Sequence, residues 1–183
     1  MTVIRTFTGR LFDYASFSPD DFDIVDIASA LSKECRFAGH CHEFYSVAQH
    51  SFEMSAMVHP DFSMEALLHD ASEAYLKDIP SPLKRMLPDY QELERRIDSA
   101  IRIKFNLPPS MSPEVKKADA DILKIEMRSL YPEKFHLEHK PDIKCMPPTA
   151  TKSVFLMRYE LLLRNKDDCR DTFQDRSTRN NLF

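Results

Sequence analysis

A chain of 183 residues with 43% hydrophobic residues is long enough for one domain with a full core, and its two glycines, Gly9 and Gly39, leave long runs of Ala, Leu, Met, Glu and Lys that favour a mainly helical fold. A formal net charge of −4 offers no basic patch for non-specific binding of nucleic acid. No apolar run approaches the ~18 residues of a membrane span, no basic-then-apolar leader opens the chain, and Cys35, Cys41, Cys145 and Cys169 form no CxxC pair. Nucleic-acid and membrane partners, a zinc knuckle and a disulfide framework are therefore not expected, and a soluble cytoplasmic protein is.

In chain order, Thr2 to Phe12 alternates and is rich in β-branched residues, which predicts one or two short strands closed at Gly9. Two strands alone would be marginal. Asp23 to Lys33 places Ile24, Ile27, Ala28 and Leu31 at helical spacing, with acids at the start as a helix dipole prefers. Cys35 to His42 is a dense polar loop around Gly39. A helix follows from Phe44 to Val58 and ends at His59-Pro60, because the residue before a proline avoids the helical region. Residues 63–78 hold no Gly or Pro and read as one helix. Ile79-Pro80-Ser81-Pro82 should be extended, and Leu83 to Phe105 a long amphipathic helix punctuated at Pro88. Ser112-Pro113-Glu114 is a strong helix start, with serine as cap and proline at the first helical position, and that helix should run to about Leu130. Residues 131–149 contain four prolines and read as an ordered loop or insertion, Thr151 to Asn165 as a last helix, and 166–183 as a loose polar tail.

The chemistry concentrates in Ala66-Leu67-Leu68-His69-Asp70-Ala71-Ser72-Glu73. On a helix His69, Asp70 and Glu73 share one edge, beside Leu67, Leu68 and Ala71, which look core-facing. An unpaired buried carboxylate costs several kcal/mol or neutralises, and a metal ion is one way to satisfy it. His50 lies on the stripe of Val47 and Met54, where a lone histidine is ordinarily a satisfied core residue; Asp119 lies between Ala118 and Ile122, where a lone Asp is ordinarily solvated. Taken together, two imidazoles and two carboxylates on three helices form a mixed N/O set for a borderline divalent cation, of the kind a helical bundle can aim inward.

His50, His69-Asp70 nineteen positions on, and Asp119 fifty beyond His69 resemble the H…HD…D signature of the HD-domain phosphohydrolase superfamily. The likeness extends from Arg36 to Asp121. It includes Ala66 to Glu73, Asp78-Ile79-Pro80-Ser81-Pro82-Leu83-Lys84 and Lys117-Ala118-Asp119-Ala120, blocks most similar to the small 5′-deoxynucleotidase-like branch. The resemblance implies an all-α, compact helical bundle over residues 1–165, here with a short N-terminal β-hairpin, followed by the polar tail.

It also implies roles. His50, His69, Asp70 and Asp119 would hold one divalent metal ion (Mn, Co, Fe, Ni, Zn or Mg). Glu73 would orient or activate the attacking water, and Asp78 would assist proton transfer. Arg36 would clamp phosphate, as a guanidinium's paired donors allow. Phe37 stands where the branch often carries a tryptophan, Lys84 is a further phosphate candidate, and His40, close to Arg36, would also reach phosphate, with His42 the weaker claim. The implied activity is phosphate release from deoxynucleoside monophosphates, with triphosphohydrolysis of deoxynucleoside triphosphates, or nucleotide sensing without turnover, as alternatives. The implied partners are a nucleotide substrate and further copies of the chain, as a dimer or higher oligomer. Simpler readings stand beside these: Glu73 could pair with Lys77, Asp78 could cap a turn, Arg36 could pair with Glu34 or a nearby Asp, and Asp121 could replace Asp119 as ligand. His59, His136 and His139 read as surface residues.

Overall fold

The structure is a computed structural model and describes residues 2–131 and 143–179. Much of the proline-rich stretch, with His136 and His139, lies outside the described residues, as does the end of the chain beyond Arg179. The fold is mostly α, with one small antiparallel sheet of β1 (Val3–Arg5) and β2 (Leu11–Asp13). Val3 pairs with Asp13 and Arg5 with Leu11, and the turn between them uses Gly9 at φ +90°. The hairpin survives because it is packed on helices rather than standing alone. Phe12 is 1% exposed and lies 4.6 Å from the Tyr75 ring and 5.4 Å from that of Phe22. Its loop is tied down where Thr8 donates its backbone N–H and hydroxyl to the buried Asp26 carboxylate, at 2.6 and 2.9 Å.

The helices are α1 (Ile24–Leu31), α2 (Val47–Met57), α3 (Ser63–Leu68), α4 (Glu73–Leu76), α5 (Ser81–Lys84), α6 (Pro88–Lys104), α7 (Pro113–Leu130) and α8 (Pro148–Arg179). Ser112 caps α7 on Val115 N with Pro113 inside the first turn, as predicted; Asp23 caps α1 on Val25 N, and Ser46 caps α2 on Gln49 N, so that α2 starts at Val47 rather than Phe44. Helix α2 packs against α3, α7 and α8. Being covered by several neighbours, it buries polar Gln49, His50, Ser51 and Ser55 as completely as Val47 and Met54, which is how a histidine comes to lie in the core. None of the helices among the described residues is long and apolar enough to cross a membrane.

Three expectations about element boundaries are corrected. Residues 63–78 are not one helix: α3 ends at Leu68, turns carry 69–72, and α4 starts at Glu73. Across the break Ala71, Glu73, Ala74 and Tyr75 donate to carbonyls three residues back instead of four, a tighter winding that stacks residues three apart. Ser81-Pro82 does not stay extended but opens α5, because proline is tolerated in a first helical turn. The last helix continues past Asn165 to Arg179, since no Gly or Pro follows Pro148 to stop it. The loop between α6 and α7 is held by a buried ion pair. Arg102, 4% exposed, donates to Pro108 O at 2.9 Å and Asp98 Oδ2 at 2.8 Å and meets Glu65 Oε1 at 3.4 Å, and Glu65 also accepts from Ser112 N at 2.8 Å. Because Ser112 caps α7, this network sets where Asp119 falls.

Candidate metal centre

Helices α2 and α7 and the turn after α3 bring His50, Asp119 and His69 together, and one potential ligand atom from each lies within 4.8 Å of the others. The two imidazole Nε2 atoms are 3.2 Å apart, and Asp119 Oδ1 is 3.4 Å from that of His50. Asp70 Oδ2 sits at 3.0 Å from His69 Nε2 and 3.6 Å from His50 Nε2. Both histidines are buried, while Asp119 keeps 44% of its side chain exposed and Asp70 21%, so the cluster opens on its carboxylate side. The expected competition with Asp121 is settled by geometry. Asp121 points away into pairs with Lys117 and Lys124 at 2.8 and 2.7 Å.

The far nitrogens of the two rings decide what the near ones can do. His69 Nδ1 lies 2.8 Å from Ala66 O, an acceptor only, so it is the N–H donor. His50 Nδ1 lies 2.6 Å from Glu126 Oε1. Glu126 Oε2 already takes the Arg36 Nη2 donor at 3.1 Å, so Glu126 is paired as a carboxylate and its Oε1 is the acceptor for His50 Nδ1. Burial would raise its pKa, but the bond to His50 and the charges of His50 and Arg36 hold it below the ordinary value. Neutral rings in these tautomers face each other with Nε2 lone pairs 3.2 Å apart, with two carboxylates alongside. Such a spot needs positive charge. Burial and Arg36 oppose a proton on His50, yet Asp119 and Glu126 outweigh them and raise its pKa. Asp70 is also perturbed: burial would raise its pKa, and the neighbouring His69, His50 and Arg36 hold it well below the carboxylate range. Two neutral imidazole nitrogens and carboxylate oxygens form a donor set suited to a divalent cation, so His50, His69 and Asp119 can hold a metal ion, with Asp70 beside them.

Next to the cluster lies a cavity of about 530 Å³ whose walls include His69, Asp70, Glu73, Lys84, Arg95 and Lys116. Glu73, 8% exposed, carries a buried Oε2 with no hydrogen-bond partner among the described residues. Burial first, then the charges of Asp70 and Asp78, push its pKa well above the ordinary value. The alternative pairing of Glu73 with Lys77 is not what forms, because Lys77 pairs with Glu34. Asp78 is partly buried, and burial raises its pKa as well. Lys84 lines the cavity with its Nζ 2.5 Å from Glu94 Oε1.

Arg36 is drawn into the cluster rather than toward Glu34, with Nη2 at 3.1 Å from Glu126 Oε2 and Nη1 at 3.6 Å from Asp70 Oδ2. Its Nε is buried without a hydrogen-bond partner among the described residues. Phe37 packs its ring edge-on against Tyr131 at 5.6 Å and lies under the Arg36 guanidinium at 5.4 Å. Phe37 and Ala38 both have left-handed backbones, φ 58° and 51°, ahead of Gly39 at 78°. Two consecutive non-glycine residues in that region are costly and mark a segment held in place by its surroundings. Here Arg36 N bonds to Tyr45 O and Cys35 bridges to Ser46. His40 is exposed, and among the described residues its backbone N–H bonds to Phe37 O while its ring stays outside the cluster. His59 is exposed and next to Asp61, as expected.

Glu126 is the site residue that sequence reasoning missed. It is fully buried on α7, two turns beyond Asp119 and on the same helical face, and that seven-residue spacing was the available signal.

Fold and site thus define a mostly α-helical protein with a two-histidine, one-aspartate cluster able to hold a metal ion. The chain is 54% identical to the uncharacterized protein YfdR of Escherichia coli over 130 residues, 71% of this chain and 73% of that protein. It is 30% identical to the uncharacterized protein RCAP_rcc00048 of Rhodobacter capsulatus, over 88% of this chain and 95% of the relative. The chain belongs to the family of these YfdR-like proteins. No family model matches it.

Proposed function

We propose that the chain is a divalent-metal-dependent phosphohydrolase of the HD-domain superfamily that releases phosphate from deoxynucleoside 5′-monophosphates. The observation that carries this reading is the convergence of His50, His69 and Asp119, with Asp70 at their edge and both Nε2 lone pairs turned to one point. A bound cation would polarise a phosphate oxygen and lower the pKa of water, the chemistry that a borderline metal such as Mn, Co, Fe, Ni or Zn supplies. The remaining parts belong to the chain. Glu73, a wall residue of the cavity whose Oε2 is buried and unpartnered among the described residues, would be the acceptor for water. Arg36 keeps guanidinium donors beyond the two it spends on Glu126 and Asp70, and these would bind phosphate. Asp78, partly buried near Glu73, would take part in proton transfer.

A monophosphate suits the cavity better than a triphosphate. Lys84 is paired with Glu94, Arg102 with Asp98 and Glu65, and Arg95 with Glu92, so few cations remain to neutralise a longer anionic chain. The test is a phosphate-release panel with metal-loaded protein across deoxynucleoside mono- and triphosphates, with phosphate, pyrophosphate and triphosphate detected separately. Orthophosphate from the monophosphates is the expected product. Inorganic triphosphate from the triphosphates would replace the proposed substrate, and tight binding without any product would replace the enzyme by a sensor.

A further inference from the structure

We infer that Glu126 is the positioning residue of the metal centre, a single buried carboxylate that sets the tautomer of His50 and the place of Arg36 together. The inference rests on the metal-centre reading above and adds a residue to it.

The geometry is specific. Glu126 Oε1 accepts from His50 Nδ1 at 2.6 Å, and Glu126 Oε2 accepts from Arg36 Nη2 at 3.1 Å, all within a pocket where Glu126 and His50 are fully buried. Each oxygen therefore serves a different partner, from elements 90 and 76 residues away along the chain. An imidazole with its proton fixed on Nδ1 can present only a lone pair at Nε2. Without the carboxylate, the same ring is free to place its proton on Nε2, which lies 3.2 Å from His69 Nε2 and 3.4 Å from Asp119, and so to block the cluster. Carboxylates that accept the far N–H of a ligating histidine fix its orientation and raise its basicity, and their loss costs ~10–100-fold in metal affinity. The His69 ring is locked differently, by the Ala66 carbonyl of its own turn, so Glu126 is specific to His50. Its second oxygen makes it more than a histidine partner. It holds the Arg36 guanidinium next to Asp70, itself a wall residue of the cavity.

Glu126→Gln separates the two jobs from bulk. The amide has the size of the carboxyl, but one end is now a donor. Turned to accept from His50, it confronts Arg36 with N–H against N–H; turned to accept from Arg36, it donates to His50 and forces the proton onto Nε2. Calorimetric titration of chelator-treated protein with Mn²⁺ is expected to show ~10–100-fold weaker binding for Glu126→Gln than for wild type. Wild-type and variant affinities within twofold of each other overturn the inference while leaving the metal centre intact. Absence of Mn²⁺ binding by the wild type overturns the metal centre itself. Should the variant lose its cooperative melt, long-range ¹H–¹⁵N spectra of the wild-type histidine rings loaded with Zn²⁺ decide. A protonated Nδ1 on His50 supports the assignment, and coordination through Nδ1 refutes it.

Discussion

Replacing Arg102 by Ala should be among the most damaging single changes away from the metal ligands, although Arg102 lies on a helix that otherwise looks like an ordinary amphipathic surface. Arg102 and Glu65 are 4% and 3% exposed, and Glu65 Oε2 already lacks a partner, so removing the guanidinium leaves a buried carboxylate with Ser112 N as its one remaining donor among the described residues. Breaking a buried pair from one side costs about 3–5 kcal/mol. The lost bond to Pro108 O adds about 1 kcal/mol. At ~2–4 °C per kcal/mol for a chain of this size, a loss of about 4–6 kcal/mol should lower the melting temperature by roughly 8–24 °C, read by calorimetry, with the free energy read separately by urea denaturation. The double change Glu65→Leu with Arg102→Met removes both charges and should recover part of that loss, because buried pairs are often replaceable by apolar groups of similar volume. A single variant within 1 kcal/mol of wild type, or a double variant no more stable than the single, would refute the account of how α7 is placed.

Other outcomes follow from the site and its surroundings. His69→Ala and Asp70→Ala should each abolish metal content and phosphate release, and full activity in either purified variant removes that residue from the ligand set. Glu73→Ala should keep its metal and lose ~10²–10⁴-fold in turnover; loss of the metal instead would make Glu73 a ligand. Burial, with the Glu43 charge beside it, pushes the Cys145 thiol up to about 11. Because the pKa is raised, the thiol form dominates until pH approaches that value, and iodoacetamide at pH 8 should modify Cys145 at least ~10-fold more slowly in the native chain than in the urea-unfolded one, where an ordinary thiol near 8.5 is exposed. Equal rates, followed by peptide mass analysis, would contradict the burial.

What was legible in the sequence was mostly local chemistry. Ser112-Pro113 announced the start of α7, Gly9 the hairpin turn, and Pro60 the end of α2, each through one residue's stereochemistry. The cluster of His50, His69 and Asp119 was legible only through the spacing of all its members taken together, since nothing local in α2 distinguishes His50 from a core histidine. Less was legible where two windings share one composition. Residues 69–72 favour helix as strongly as their neighbours do, yet they tighten to bonds three residues back as the His-Asp pair turns into the cluster. Glu126 was missed because its meaning comes from Arg36 and His50, which only the fold brings to it. Arg102 and Glu65 were missed for the same reason: on their own helices each is an ordinary charged residue, and only the loop between α6 and α7 buries both.

The pair Asp119 and Asp121 tests the central claim most directly, because two identical side chains two residues apart on α7 have opposite fates. One joins His50 and His69; the other pairs with Lys117 and Lys124 on the surface. Elemental analysis and Mn²⁺ titration of the purified variants should find one ion per chain in wild type and in Asp121→Ala, and none in Asp119→Ala with its melting temperature retained. An Asp119→Ala protein that keeps its ion, or an Asp121→Ala protein that loses it, would contradict the metal centre described above.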